Sequence, residues 1–427
     1  MNRREHCRPA AKYRAFMDSI QPSAANSAPQ EINWKLNLAV VWLGQIIAHC
    51  AHSFALPFIP LYMRWRFNLV DETERGLYIV AFEFFGMLTF CISNPLWGAL
   101  GDRYGRKLML LRTYFLNGLC IPLMIVAPTA AWLIFVRALT SCFSGTISAS
   151  QALVVSTTPE KHHGFALGTL STAYWSGMVF GLLGGGLVVH FYSYKVAFLT
   201  CGGLLIFSGL ITLLFAKENF VPPTRAKVKN CDRPHGDRVF TASILLLLGL
   251  MCLLSMARRM DAPFVPVLVE IINGAENAEL YTSYISALAA VGGILSGLLF
   301  GALSDRLPAW ELALPSFALA GAALLFQGRT NSLLALAAFR FLCFFAAGGI
   351  EPIILSRLSR ETSPDHRGAV LGCSSSVRVL GSLLGAGVNA IIVSFVNTRG
   401  VFITAGVIML MLIPVSMIVL HSKNETR

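Results

Sequence analysis

Gly98-Ala-Leu-Gly-Asp-Arg-Tyr-Gly-Arg-Lys107 is a short charged turn set between two long apolar runs, and a weaker copy returns as Gly301-Ala-Leu-Ser-Asp-Arg306. One such junction says little, but further landmarks recur in the same order around it. Pro57-Phe-Ile-Pro60 returns as Pro263-Phe-Val-Pro266, and Arg137 of Leu133-Ile-Phe-Val-Arg137 returns as Arg340 of Leu336-Ala-Ala-Phe-Arg340. Gly164-Phe-Ala-Leu-Gly168 is echoed by Gly368-Ala-Val-Leu-Gly372, and Val196-Ala-Phe-Leu-Thr200 by Gly400-Val-Phe-Ile-Thr404. The offset stays near two hundred residues throughout, which is the mark of a parallel internal repeat.

The composition says where such a repeat resides. Hydrophobic residues make up 55% and charged residues 13%, against about 25% charged in a soluble domain. A chain this poor in charge cannot cover a water-facing surface. Twelve apolar segments are long enough to span a bilayer: 36–62, 76–99, 108–128, 131–154, 164–190, 194–216, 239–269, 280–303, 312–327, 332–356, 367–394 and 400–420. They lack alternating polarity, which favours helices over barrel strands. The sequence therefore predicts an all-α membrane protein of twelve transmembrane helices in two six-helix repeats.

With both termini cytoplasmic, the outer loops hold only Arg64, Arg66, Arg75, Lys195, Arg329 and Arg399. Arg137, Arg258, Arg259, Arg340 and Arg378 fall deep inside spans, and the other 23 of the 34 Lys and Arg, counting Arg112 and Arg367 near the cytoplasmic ends of theirs, lie on the cytoplasmic side. That bias follows the positive-inside rule. The net charge of +12 is thus a topology signal, with attraction to anionic lipid as a consequence, and no basic face for nucleic acid is expected. The expected organisation is a cytoplasmic tail (1–35) without a cleavable signal, one half (36–216), a basic linker (217–238), a second half (239–420) and a short tail (421–427). The ten cysteines form no CxxC pair and read as small buried hydrophobes, so neither metal nor cofactor is expected.

The loop 98–107 resembles the signature between helices 2 and 3 of the major facilitator superfamily. Asn94-Pro-Leu-Trp-Gly98, Lys107-Leu-Met-Leu-Leu-Arg112 and Gly168-Thr-Leu-Ser-Thr172 resemble bacterial multidrug-efflux members of its drug:proton antiporter branch. The resemblance implies proton-coupled export of a small molecule across the inner membrane by alternating access, with the chain functional as a monomer. It also implies a conformational latch at Gly98, Asp102, Arg103, Gly105, Arg106 and Lys107, with Asp305 and Arg306 as its weaker second copy. In the latch Asp102 pairs with a guanidinium or a helix N-terminus only while the halves are closed on the cytoplasmic side. In helix 5, Gly177, Gly181, Gly184 and Gly185 resemble the antiporter motif, although Leu182 stands at its proline. Helix packing is therefore expected there without the kink. Arg137 occupies the family's basic position, for which proton handling and a structural partnership are both open.

Charges inside a membrane are costly and by default functional. Glu83 and Glu351 are the candidate proton carriers, because an unpaired buried carboxylate holds its proton more firmly than one in water. Each has permanent pairing with an arginine as its alternative. His49 and His52, one turn apart, are a further candidate, with hydrogen-bonded core histidines as the alternative. Arg258 and Asp261 are spaced to pair on one face. Arg258, Arg259, Asp261 and Arg378 are the expected cavity charges, and their arginine excess favours an anionic or zwitterionic solute, such as a carboxylate-type siderophore, over lipophilic cations. No phosphate-binding loop is present to support an ATP-driven pump. A membrane enzyme has no motif behind it, and a non-transporting receptor or assembly partner would rest on the basic tail and linker.

Overall fold

The computed structural model describes residues 33–218, 220, 241–303, 307–363 and 366–421. Readings that fall on Asp305, Arg306, most of the N-terminal tail and linker and the last six residues lie outside it.

The first repeat consists of α1 (Trp34–Ala55), α2 (Ile59–Phe67), α3 (Glu72–Tyr104), α4 (Arg106–Cys120), α5 (Ala130–Cys142), α6 (Thr146–Thr157), α7 (His163–Phe191) and α8 (Tyr194–Phe215). The second consists of α9 (Ala242–Met260), α10 (Val265–Asn273), α11 (Ala278–Leu303), α12 (Ala309–Arg329), α13 (Leu333–Ala347), α14 (Ile350–Glu361), α15 (Arg367–Phe395) and α16 (Thr398–His421). Several of these join end to end into single bent rods. Eleven of the rods are long and apolar enough to cross a membrane. The twelfth, α4 with the 3₁₀ turn Ile121–Met124, is shorter and carries Arg106, Lys107 and Arg112.

The bends have local causes. Short 3₁₀ turns at Leu56–Phe58 and Ala262–Phe264 separate α1 from α2 and α9 from α10. Pro57 and Pro60, and likewise Pro263 and Pro266, withhold the N–H that a continuous helix requires there. Sequence patterning did not anticipate the break between α5 and α6, where Gly145 adopts φ 120°. The signature stretch also differs from the expected loop. It is helical up to Tyr104 and again from Arg106, leaving Gly105 at φ 101° as the whole turn. Only glycine adopts that backbone without strain.

The two repeats are built alike. In the first, α7 lies against α1 and α3 against α5; in the second, α15 lies against α9 and α11 against α13. A Cβ added to Gly177, Gly181 or Gly185 would lie 2.5, 2.3 or 2.1 Å from the carbonyl oxygens of Ile46, Cys50 and Phe54. On Gly184 it would press on the Phe54 ring at 2.9 Å. The expected packing stripe thus brings two backbones into contact. Its echo is Gly381, where a Cβ would lie 2.2 Å from the Cys252 carbonyl oxygen. The repeats meet through α7 against α11 and α3 against α15.

Candidate transport cavity and its gates

A cavity of about 220 Å³ sits where the two helix breaks face each other across the repeats. Leu56, Pro57, Ile59 and Pro60 approach from one repeat, and Ala262, Pro263 and Phe264 from the other. Ile79, Phe82, Glu83 and Met87 of α3 and Arg137 of α5 complete one wall. Arg259 of α9 with Ser382, Ala386 and Asn389 of α15 completes the other. The lining is apolar with a few placed charges, as in small-molecule sites generally.

Those charges form separate groups. Glu83 and Arg137 stand 3.6 Å apart without a hydrogen bond among the described residues, and Arg137 also lies over the Phe82 ring at 5.2 Å. A Cβ on Gly86 would lie 2.9 Å from Arg137 Nε, so this glycine is what admits the guanidinium between α3 and α5. Glu351 of α14 accepts from Arg258 at 3.3 Å and from Arg378 of α15. That is the arginine partnership weighed as its alternative.

Asp261 requires a correction. It pairs with Arg340 of α13 rather than with Arg258, and both side chains are almost fully enclosed, at 5% and 3% exposure. Gln327 accepts a second hydrogen bond from Arg340 at 3.3 Å. Asp261 ends α9 at the helix break, where the spacing rule for a continuous helix no longer applies. Asp261 is therefore a structural counter-ion and not one of the residues lining the cavity. The histidines of α1 pack within the first repeat. His52 Nδ1 lies 2.8 Å from the Ala48 carbonyl oxygen, and the His49 ring meets Tyr174 edge-on at 4.9 Å.

The end of the molecule remote from the signature stretch is shut. Arg75 of α3 donates two hydrogen bonds to Glu270 of α10, at 2.8 and 3.1 Å, and Arg64 of α2 pairs with the same carboxylate. Arg75 is 2% exposed and Glu270 10%, so the outer-loop place assigned to Arg75 gives way to a buried position in the first turn of α3. Glu72 accepts the Thr398 backbone N–H at 2.6 Å, capping α16 from the opposite repeat. His190 of α7 stands 3.4 Å from Glu279 of α11. Gly76 packs against Val393, and Gly186 against Ser283. The pairing of these residues escaped sequence analysis, which placed Arg64 and Arg75 only in outer loops, yet one signal pointed to it. Arg64 and Glu270 both follow the second proline of the duplicated Pro-Phe-x-Pro motif by four residues. Opposite charges at equivalent places in two copies meet when a pseudo-twofold brings those places together.

At the signature end the described residues show no such close packing between the repeats. A Cβ on Gly98, Gly168, Gly297 or Gly372 would meet nothing within 4 Å. Asp102 and Arg103 are exposed, and Asp102 has no ion pair among the described residues. Arg106 and Lys107, by contrast, are bound within their own repeat. Arg106 donates to the Ala152 carbonyl at 3.1 Å. Lys107 donates to the Leu213 and Ala216 carbonyls at 2.9 and 2.6 Å, closing the C-terminus of α8. Glu218 accepts the backbone N–H groups of Arg106 and Lys107, each at 2.8 Å, and so caps α4. Arg112 lies over the Trp97 ring at 3.6 Å and donates to the Phe143 and Ser144 carbonyls.

Comparisons with known proteins agree with this architecture. The family model of the Major Facilitator Superfamily matches residues 41–257 and 247–427. Multidrug resistance protein MdtG of Salmonella heidelberg (strain SL476) is 28% identical over 380 residues, covering 88% of this chain and 94% of the relative. The protein of the same name from Citrobacter koseri is likewise 28% identical, covering 88% and 93%. Among solved structures, the POT family transporter PepTSo superimposes with a TM-score of 0.73 at 12% identity, over 90% of this chain and 98% of that one. A bacterial homolog of the human lysosomal transporter Spinster, inward-facing and occupied, gives 0.64 at 14% identity, over 90% and 95%. These structural likenesses speak to the fold. With both repeats matched by the family model, the chain belongs to the Major Facilitator Superfamily, a multi-pass inner-membrane secondary transporter and not an enzyme.

Proposed function

We propose that the protein exports amphipathic small molecules, drugs among them, in exchange for protons, by rocking residues 36–216 against 239–420. The observation that carries this reading is the loose Glu83–Arg137 pair in the wall of a cavity whose remote end is shut, and we take the signature end, where the described repeats show no close packing, as its open side. A proton taken up by Glu83 breaks only that contact, whereas at Glu351 it breaks two hydrogen-bonded ones. Glu83 is therefore the proton carrier, Arg137 its counter-charge, and Glu351 an organiser of the opposite wall. His49 and His52 serve packing.

The open end faces the cytoplasm, the side from which an exporter loads. Asp102, without an ion pair among the described residues, fits a latch that is released in this state and engages when that end closes, with Arg103 beside it. Arg106 and Lys107 are fixed parts of its frame. The cavity lies between two repeats of one chain, which supports a functional monomer, and the basic cytoplasmic face suits anionic lipid. Each proton re-entering yields about 2.3 kcal/mol per 100 mV.

The test is proton flux in liposomes containing the purified protein under an imposed pH gradient, on addition of lipophilic cations and amphipathic acids in turn. Substrate-dependent flux that Glu83→Gln abolishes is expected. Absence of flux with every compound, or full coupling in Glu83→Gln, refutes the assignment.

A further inference from the structure

We infer that Arg259 is the seat of an acidic group on the transported molecule, so that the cavity selects amphipathic acids over amphipathic cations. The inference rests on the transport reading above and names its substrate class.

Among the described residues, the charges near the cavity are paired apart from Arg259. Glu83 is matched by Arg137, Asp261 by Arg340, and Glu351 is shared by Arg258 and Arg378. Arg259 lies in the cavity wall and is exposed there, with no ion pair or hydrogen bond among the described residues. Around the cavity, Arg137, Arg258, Arg259 and Arg378 thus face only two carboxylates, Glu83 and Glu351, and two positive charges are left in excess. One is spread over the Glu351 cluster, where an incoming anion must compete with a carboxylate already in place. The other sits on Arg259, which feels the Glu351 carboxylate only through space and forms no ion pair with it among the described residues.

A guanidinium offers a planar fork of donors that matches a carboxylate, phosphonate or sulfonate oxygen pair. Held unpaired at membrane depth, such a group is costly and marks a substrate pathway. Its surroundings fit an amphipathic partner: the partly exposed Leu56, Pro57, Met87 and Pro263 offer apolar surface, while Ser382 offers a neutral polar contact. A cation in the same place meets the excess positive charge with only the already neutralised Glu83 to receive it.

The test uses three probes sharing one body: 2-naphthylacetate, its neutral amide, and 2-naphthylethylammonium. Their binding to the purified full-length protein is measured by calorimetry, and their counterflow in proteoliposomes in parallel. The wild type is expected to bind the acid at least tenfold more tightly than the amide, and the amine most weakly. Arg259→Gln is expected to lower acid affinity about tenfold while leaving the amide unchanged, which also reports that the variant is folded. Arg259→Lys is expected to recover part of the loss. An unchanged acid-to-amide ratio in Arg259→Gln, a wild-type preference for the amine, or no measurable acid binding overturns the inference. Proton-driven counterflow of the amine without acid preference overturns it while leaving the transport reading intact. Acid binding that depends on Arg259 without counterflow of any probe supports the seat and counts against transport.

Discussion

Replacing Glu270 by Gln removes the charge that holds the remote end shut while preserving its shape. Three contacts converge on this carboxylate, two from Arg75 at 2.8 and 3.1 Å and one from Arg64, all from the opposite repeat. Arg64 is 31% exposed and contributes little in water, but Arg75 at 2% keeps a full charge with nothing to neutralise it. Leaving one member of a buried pair uncompensated costs about 3–5 kcal/mol. Because opening that end hydrates Arg75, most of this penalty applies to the closed state alone. At about 1.4 kcal/mol per factor of ten, even 3 kcal/mol shifts the ratio of open to closed by roughly a hundredfold. Spin labels at Val70 and Glu276, exposed positions in the outer loops of the two repeats, report this in a cysteine-free background by double electron–electron resonance. Glu270→Gln is expected to lengthen the distance distribution, and Arg75→Gln added to it to bring back much of the short component, since no buried charge then remains. A distribution in Glu270→Gln that matches the parent would show that the three contacts do not hold the gate.

Within the repeats, Gly181→Ala places a methyl group 2.3 Å from the Cys50 carbonyl oxygen and is expected to cost about 1–3 kcal/mol by overpacking. It should lower the melting temperature in detergent, whereas Gly249→Ala, with nothing within 4 Å, should leave it level or slightly raised. Asp261→Asn strands the buried Arg340 charge and is expected to lose about 3–5 kcal/mol, seen as poor yield and early thermal aggregation. Wild-type thermal stability in that variant would refute the counter-ion role. Glu218→Ala uncaps α4 at about 1 kcal/mol, and faster amide hydrogen exchange at Arg106 and Lys107 is the measurement that checks it.

The rods were legible in the sequence because a membrane imposes long apolar stretches, and their duplication because gene-scale repeats keep their spacing even when few residues agree. Gly177 and Gly181 announced backbone contact, since nothing but absence of a side chain permits it. Partners of charges were not legible. Asp261 and Arg340 lie 79 positions apart and meet only through the crossing of two helices, which periodicity within either one does not encode. Arg106 and Lys107 read as moving parts because the signature motif that the stretch resembles includes them. The structure ties them instead to carbonyls far along the chain, where helix ends happen to converge. Arg64 and Glu270 were readable only by combining the repeat with its symmetry, a step beyond counting charges in loops.

The helix breaks at Leu56–Phe58 and Ala262–Phe264 also change what kind of machine this is. Backbone contact along α1 and α7, and along α9 and α15, prevents those pairs from sliding, so they travel as solid bodies. The segments that carry Arg64 and Glu270, α2 and α10, lie beyond the compliant turns, like short levers mounted on the bodies. A tilt about those turns would move the outer door without the bodies, and it would first have to free Tyr62, whose ring packs on Tyr194 and Phe198 and whose hydroxyl donates to the Met124 carbonyl. That anchor sets how far a state with solute enclosed from both sides can form without moving the bodies.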